Sequence, residues 1–430
     1  MKNKQIKRKK GLKIVLGLFL ILGIVGSISI HFINKDSKTF INLTEQQKLE
    51  DYEYLWSTLR ESYPFMGVAQ RSGIDVEEIY EKYKTEIIKS KTDIDFAKTL
   101  NCVVNEFNGI GHLSMIDGKI YKNFKDTYSQ FLDSDKEAKK GYDRWLDAFK
   151  NSTTQKTYSL LDDKKHGFRT TKHLKKRKED NKEVKTDTSS VEQNIKTEIL
   201  QARKVAYVNI KSFQFSNIKS DKEKLFKFYD EVSNCPNLII DLRENSGGSD
   251  YYWKELIVAP NIKEEIAYNH YSLLKLSENN RPYLEGVYNE EDIQPISKLP
   301  NFKNINPEDV ASMSNFVKDE YVISPNKSSR TYKGKIWVLT SPKIYSTSEV
   351  FTMFCKSTDF ATLVGTETGG DGGAVDPIFI ALKNSGFMFR YSMLHSLNLD
   401  GKSNEEFGTS PHIRIKDGED ALQVCLDAID

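Results

Sequence analysis

The strongest limit on the fold is an alternation of short apolar runs and helical patterns that begins near Lys196. Leu238 to Leu242 and Ile336 to Leu339 are short, mainly apolar runs, typical of strands buried in a sheet. A helical pattern starts at Thr347, soon after the second run. Repeated strand-then-helix order predicts a layered α/β domain over 196–430. Further strands are predicted at Val205 to Ile210, Ala361 to Gly365 and Phe387 to Met393.

The chain before this domain has a helical pattern. Between Glu45 and Phe107, apolar residues recur at spacings of three and four, which is the period of one helix face. This predicts a small helical domain over 41–118. Residues 119–195 are amphipathic and charged, and we interpret them as a helical insertion or linker.

The stretch 162–190 is poorly suited to a core, because it contains consecutive basic side chains from Lys175 to Lys178. Such a charge run favours a solvated loop. A basic patch that touches anionic lipid or a cell-wall polymer is the alternative, and nothing in the sequence favours it.

The composition argues against several classes of protein. The 63 basic and 61 acidic residues give a net charge of +2, whereas nucleic-acid-binding proteins are usually strongly basic. The hydrophobic fraction of 38% is enough for a large core. The four cysteines lie far apart and no His/Cys cluster occurs, which argues against a zinc site or a disulfide scaffold. We expect no nucleic-acid partner and no metal or organic cofactor.

The N-terminus predicts a membrane location. Residues 1–13 are basic, and 14–33 form an apolar run without a formal charge. A helix of about 20 residues crosses the hydrocarbon of a bilayer, and a secretory signal usually has a shorter apolar region. We therefore predict an uncleaved signal anchor, with 1–13 in the cytoplasm and the rest of the chain outside. The alternative is a signal peptide cleaved near Gly26 to Ser29.

The first segment that can carry chemistry follows the apolar run at Leu238 and ends in Gly247 and Gly248. Paired glycines let the backbone approach a ligand and direct N–H groups toward it, and such groups can bind an oxyanion. An ordinary turn is the alternative. Asp241 and Arg243 are expected to pair with each other or to cap the sheet.

The second segment contains Ser346, Thr347, Ser348 and Glu349 after the run at Ile336. A serine hydroxyl at a helix N-terminus lies where free N–H groups and the helix dipole favour a developing oxyanion. The same residue types are also ordinary helix N-caps, and the local pattern alone favours that interpretation.

The third segment is a turn with glycines before His112 and with Leu113 and Ser114 after it. Imidazole suits a general base near neutral pH, and functional groups are common in such turns. A lone histidine is more often structural.

Taken in order, these segments resemble the tail-specific, or C-terminal processing, serine peptidase family. The resemblance covers about 196–430, with a weaker match around 105–116. The matching pieces are Asp241-Leu-Arg-Glu-Asn-Ser-Gly-Gly248, Ser346-Thr-Ser-Glu349, Leu363-Val-Gly-Thr-Glu-Thr-Gly369 and Glu405-Glu-Phe-Gly-Thr-Ser-Pro411, with Val205-Ala-Tyr-Val-Asn-Ile210 similar to the family strand before them.

One position departs from the Ser-Lys members of this family, which carry a lysine base 25 residues after the nucleophile. That position is Asp371 here, and Lys343 is a poor substitute by its place in the motif. The tricorn-core branch uses serine, histidine and glutamate instead, which resembles Ser346, His112 and Glu405. That branch has a relay serine where this chain has Gly111, and Ser114 is the candidate to replace its hydroxyl.

The resemblance implies a ClpP/crotonase-like layered α/β catalytic domain and a serine endopeptidase acting on peptides or proteins. Ser346 would be the nucleophile, His112 the base, and Glu405, through Ser114, would orient the imidazole. Gly247 or Gly248 and Thr347 would supply the oxyanion N–H groups. The alternatives are a non-catalytic peptide- or lipid-binding module on the same fold, as in the retinoid-binding repeats that resemble this family, and acyl or ester hydrolysis by the same serine. The sequence does not indicate an oligomeric state.

Overall fold

A computed structural model describes residues 41–134, 139–161, 193–326 and 332–429. Its helices lie in two groups, before and after a gap at 162–192. The first group is α1 (Glu45–Glu61), α2 (Met66–Arg71), α3 (Val76–Lys89), α4 (Asp93–Asn105), α5 (Gly118–Ser134), α6 (Lys139–Ala148) and α7 (Ser152–Leu160). The second group is α8 (Ile218–Glu231), α9 (Asp250–Trp253), α10 (Arg281–Val287), α11 (Pro307–Ser312), α12 (Thr347–Thr358), α13 (Asn404–Phe407) and α14 (Ala421–Ile429).

The strands of the described residues form three sheets, and the predicted α/β class is confirmed. The strands are β1 (Ser114–Met115), β2 (Ile195–Gln201), β3 (Val205–Ile210), β4 (Asn237–Asp241), β5 (Ile266–Leu274), β6 (Gln294–Pro295), β7 (Asn315–Ile323), β8 (Lys335–Thr340), β9 (Thr362–Gly365), β10 (Ile378–Ala381), β11 (Met388–Tyr391), β12 (Leu394–Leu397) and β13 (Ile413–Arg414).

The largest sheet has six strands in the order β13-β9-β8-β4-β3-β2, and every pair is parallel except β2 with β3. Its central strands are buried on both faces, which is why they are mainly apolar in sequence. In β4, Leu238 and Ile240 belong to the main core, whereas Ile239 belongs to a second cluster with Ala421 and Cys425 of α14. Helices therefore cover both faces of this sheet.

Three functional segments leave the same edge of the six-stranded sheet. The turn with Gly247 and Gly248 follows β4, the turn with Ser346 follows β8, and the loop 366–373 follows β9. Because β4, β8 and β9 are parallel neighbours, their carboxyl ends meet at one edge. Ligand sites of open α/β sheets lie at this edge.

The four-stranded antiparallel sheet has the order β12-β5-β7-β6 and was not predicted from the sequence. Strand β5 carries polar side chains, including the buried His270 and Ser272, so that it lacks the apolar run of a core strand. Ser396 of β12 donates a hydrogen bond of 3.1 Å to the carbonyl oxygen of Gly372, which joins this sheet to the glycine-rich loop.

The third sheet, β1-β11-β10, attaches the N-terminal helices to the rest of the molecule. The short strand β1 pairs Ser114 with Arg390 of β11. A second attachment is the buried Asp51 of α1, which accepts hydrogen bonds of 2.8 and 2.7 Å from the backbone N–H groups of Asn384 and Ser385.

The predicted signal anchor at 14–33 and the charged stretch at 162–190 lie outside the described residues. Within 41–429, leaving out the undescribed gaps, no helix combines the length and the apolar character needed to cross a bilayer.

Candidate active site

Ser346 occupies a sharp turn between β8 and α12. Its side chain is buried and its backbone has φ 63° and ψ −130°, which is unusual for a residue with a side chain. The N–H of Ser346 donates to the carbonyl oxygen of Gly370 at 3.0 Å, so a second loop fixes the turn. The Ser346 hydroxyl makes no capping hydrogen bond to α12, which contradicts the interpretation of Ser346 as an ordinary N-cap.

His112 reaches this turn although 234 residues separate it from Ser346. It lies in the short helical turn Ile110–His112 with φ 58°. The N–H of Ser392, just after β11, donates to the carbonyl oxygen of Gly111 at 2.7 Å and holds this turn against the sheet. The imidazole is buried, and its Nε2 lies 3.4 Å from the Oγ of Ser346.

The two glycines after β4 have different hydrogen bonds. The N–H of Gly247 donates to the side-chain oxygen of Asn245 at 3.0 Å. The N–H groups of Gly248 and Thr347 donate to no acceptor among the residues that the structure describes. A β-carbon at Gly247 would lie 2.9 Å from the Tyr345 carbonyl oxygen, so the glycine is needed for this close approach. Gly248 and Thr347 are therefore better placed than Gly247 to bind an oxyanion.

Glu405 contacts the histidine turn through the backbone. Its Oε1 accepts a hydrogen bond of 3.0 Å from the N–H of Gly111, and its Oε2 accepts one of 3.3 Å from the hydroxyl of Tyr345. The Tyr345 ring packs edge-on against the imidazole of His112 at 5.0 Å between centroids. Glu405 thus fixes the backbone and one neighbour of His112.

Ser114 does not bridge Glu405 and His112. Its Oγ donates to the carbonyl oxygen of His112 at 3.2 Å and accepts a hydrogen bond of 3.2 Å from the Nε of Arg390. These contacts place the Ser114 hydroxyl on the backbone of the turn rather than on the imidazole.

The structure explains why position 111 is glycine. A β-carbon at Gly111 would lie 2.3 Å from the ring of Phe65, and the residue has φ 52°. Phe65 is buried and stacks on His395 at 5.1 Å, so its ring has no free space to move into. A serine hydroxyl at 111 is excluded by this packing.

Asp371, noticed in the sequence only as a departure from the lysine position, faces His112. Its Oδ2 lies 3.0 Å from the Nε2 of the imidazole and accepts a hydrogen bond of 3.1 Å from the hydroxyl of Ser392. Asp371 is buried and has φ 56°. Lys343, by contrast, pairs with Glu244 at 2.8 Å on the surface.

Burial dominates the electrostatics of the site. It lowers the pKa of His112 well below its usual value and raises the pKa of Asp371 to about 8. Burial, together with the charge of Asp371, also raises the pKa of Glu405 well above its usual value. The imidazole is therefore neutral near pH 7, as a general base must be.

A third carboxyl group, that of Glu349 in α12, holds in place the segment 404–409, which we call the closing turn. Its Oε1 accepts hydrogen bonds of 2.8 Å from the side-chain amide of Asn404 and 2.6 Å from the hydroxyl of Thr409. Asn404 in turn accepts the N–H of Gly372 at 2.8 Å. Sequence reasoning gave Glu349 no such role, because its partners lie more than 50 positions away.

The arrangement therefore combines a hydroxyl, a neutral imidazole and backbone N–H groups at one edge of the sheet. Among the described residues, no group of histidine, cysteine, aspartate and glutamate side chains could hold a metal ion. Residues 204–415 match the family described as Peptidase family S41. This part of the chain belongs to peptidase family S41. Peptidases of this family are serine hydrolases.

The S41 domain includes Ser346, Gly248, Asp371 and Glu405, whereas His112 lies before it. Solved structures share the fold across both parts. A candidate peptidase from Parabacteroides merdae is 18% identical with a TM-score of 0.52, over 90% of this chain and 97% of that one. Mature CPAF complexed with lactacystin is 12% identical with a TM-score of 0.51, over 86% and 94%. No curated protein matches the sequence.

We predict that Gly111→Ser destabilises the protein because the new β-carbon meets the Phe65 ring. Overpacking of this kind costs about 1–3 kcal/mol of the free energy of unfolding, measured by chemical denaturation. Gly109→Ser is the matched control: Gly109 also has a positive φ, but a β-carbon there meets no atom within 4 Å. Equal losses in the two variants would contradict this explanation of position 111.

We also predict a pH-dependent contribution of Asp371 to stability. Unfolded Asp371 ionises near its ordinary pKa of 3.8, whereas the folded residue keeps its proton up to a pKa of about 8. Between these values the folded state binds more protons, so rising pH favours unfolding, by at most about 1.4 kcal/mol per pH unit. Denaturation of wild type and Asp371→Asn from pH 5 to 8 should show a steeper decline in wild type; parallel curves would disprove this.

Proposed function

We propose that this protein is a serine endopeptidase with Ser346 as nucleophile and His112 as general base. The observation that carries the proposal is the buried contact of 3.4 Å between the His112 Nε2 and the Ser346 Oγ. Such a contact lies slightly beyond an ideal hydrogen bond, and catalytic contacts are often looser without substrate. The positive φ of both residues also supports it, because backbone strain concentrates at active sites.

The geometry supports acyl transfer in two steps. The Ser346 Oγ attacks the peptide carbonyl while Nε2 of His112 takes its proton, which forms a tetrahedral oxyanion. Collapse breaks the C–N bond, and Nε2 returns the proton to the leaving amine. His112 then deprotonates a water molecule, which attacks the acyl-serine carbonyl. Collapse breaks the ester bond to the Ser346 Oγ, Nε2 returns the proton to that oxygen, and the carboxylic acid product leaves.

The N–H groups of Gly248 and Thr347 would bind the oxyanion. Both donors lack another acceptor within the described chain, and Thr347 is the first residue of α12, where the helix dipole also favours negative charge. Each donor of this kind is worth about 2.7–4 kcal/mol of transition-state stabilisation. Glu405 would support the base by fixing the turn through Gly111.

Replacement of the nucleophile tests the assignment. We expect Ser346→Ala to abolish labelling by a fluorophosphonate and hydrolysis of a peptide library, because it removes the hydroxyl that lies 3.4 Å from Nε2 of the base. The control is Ser348→Ala, which removes a neighbouring hydroxyl that donates to the carbonyl oxygen of Asn245 at 2.7 Å. The control should still label.

Two results would contradict the proposal. Equal hydrolysis by wild type and Ser346→Ala would place the activity elsewhere or in a contaminant. Absence of both labelling and turnover, with stabilisation by peptides or lipids in a thermal-shift screen, would favour the non-catalytic binding module instead.

We further propose that 14–33 anchors the peptidase in the cell membrane as a single-pass helix, with the S41 domain outside the cytoplasm. The uncharged run of 20 residues and the basic flank support this orientation. The full chain should sediment with membranes and resist alkaline carbonate extraction, whereas a 34–430 segment should remain soluble. Recovery of a soluble form whose N-terminus lies near residue 26–29 would instead indicate a cleaved signal peptide.

A further inference from the structure

One imidazole nitrogen in the site has two partners. The Nε2 of His112 lies 3.0 Å from the Oδ2 of Asp371 and 3.4 Å from the Oγ of Ser346. Hydrogen bonds between nitrogen and oxygen are usually 2.7–3.2 Å long, so the Asp371 oxygen lies within that range of Nε2 and the Ser346 oxygen lies slightly beyond it. A ring nitrogen carries either one hydrogen or one lone pair, so a strong bond to one partner excludes the other.

A hydrogen bond across this 3.0 Å distance would conflict with the chemistry proposed for His112, wherever the proton lies. If the proton is on Nε2, the imidazole donates to the carboxylate and Nε2 has no lone pair to offer. If the proton is on Asp371, the carboxylic acid donates to the lone pair of Nε2. In both cases Nε2 cannot accept the proton of the Ser346 hydroxyl. Ser346 must lose that proton to attack a carbonyl.

Asp371 is held firmly in this position. The carbonyl oxygen of Gly370 accepts the N–H of Ser346, the N–H of Gly372 donates to Asn404, and the Ser392 hydroxyl donates to the Asp371 carboxyl group. The side chain is only 2% exposed. The contact with His112 is therefore part of the packed interior and not a passing surface contact.

The other oxygen of the Asp371 carboxyl group is available as a hydrogen-bond acceptor. Its Oδ1 is buried and accepts no hydrogen bond from the residues that the structure describes. A bound peptide brings backbone N–H donors into the site, and one of these can satisfy such an oxygen. A donor supplied from outside would draw the carboxyl group away from the imidazole.

From this geometry we infer that Asp371 is an autoinhibitory residue: it occupies the Nε2 of His112 in the substrate-free site, and catalysis begins when a bound peptide releases it. The inference rests on the proposed peptidase function and deepens it, because it adds a latent state controlled by the 369–373 loop. Two distances support this inference: Nε2 lies 3.0 Å from the Asp371 oxygen and 3.4 Å from the Ser346 oxygen.

Removal of the carboxyl group tests the inference. Asp371→Gly suits the φ of 56° and deletes the competitor, so serine labelling by a small fluorophosphonate, which brings no peptide N–H, should become about tenfold faster or more. Asp371→Asn is the matched control, because its amide keeps the shape and can still bond to Nε2; it should not show this gain. Labelling of Asp371→Gly at or below the wild-type rate would overturn the inference, since Asp371 would then assist catalysis or be irrelevant to it.

A second readout separates this failure from failure of the peptidase proposal. In nuclear magnetic resonance spectra of wild type, the imidazole signals of His112 should shift strongly in Asp371→Gly and only slightly in Ser346→Ala. Unchanged signals in Asp371→Gly would disprove the contact while leaving Ser346 as a possible nucleophile. The expected shift combined with absence of labelling in every variant would keep the contact but exclude latency, because no peptidase activity would exist to inhibit.

Discussion

The active site depends on the docking of the His112 turn against β11. The S41 domain supplies Ser346, the two glycines and three carboxyl groups of the candidate site, but the imidazole comes from the chain before it. Besides the pairing of β1 with β11, two backbone hydrogen bonds join the parts: the N–H of Ser392 donates to the carbonyl oxygen of Gly111 at 2.7 Å, and the N–H of Ile116 donates to that of Met388 at 2.8 Å. Buried backbone bonds of this kind leave unpaired polar groups if they break, so the turn has one well-defined position.

The loop that follows β9 then sets the positions of the other groups. The carbonyl oxygen of Gly370 accepts the N–H of Ser346, and a β-carbon at Gly370 would lie 2.6 Å from the carbonyl oxygen of Asn404. The loop therefore packs closely between Ser346 and the closing turn. Glu349 holds the closing turn by accepting a hydrogen bond from Asn404. Three residues, His112, Ser346 and Asp371, keep strained backbone conformations within this packing.

Elements around the site that follow from local sequence patterns were predicted. The strand at Val205 to Ile210 and the start of α12 at Thr347 lie where the apolar patterns placed them. The sheet built from β5 and β7 was missed, since His270 and Ser272 interrupt its pattern with polar groups that become buried only in the tertiary fold.

The contacts that each side chain makes within the site were harder to predict from the sequence. Whether Ser114 or Gly111 meets Glu405 depends on which of them faces the closing turn, and a gap of 294 positions separates Gly111 from Glu405. Gly247 was mispredicted for a different reason. Its N–H donates to the side chain of Asn245, two residues earlier, and the motif does not reveal this local contact. The residue types indicate what chemistry is available, whereas the packing decides which atoms meet.

The two departures from the family pattern, Gly111 and Asp371, lie on either side of His112. The Phe65 ring excludes a serine at 111, so Glu405 bonds directly to the Gly111 N–H instead of acting through a hydroxyl. Ser114 does not link Glu405 to the imidazole, and an oxygen of Asp371 lies 3.0 Å from Nε2. A lysine at 371 would place a buried ammonium group beside the guanidinium of Arg390, whose charge already lowers the pKa of His112, and it would offer the imidazole only donors. The imidazole of His112 and the carboxyl group at position 371 are therefore compatible neighbours in this site, whereas a lysine at 371 would not be.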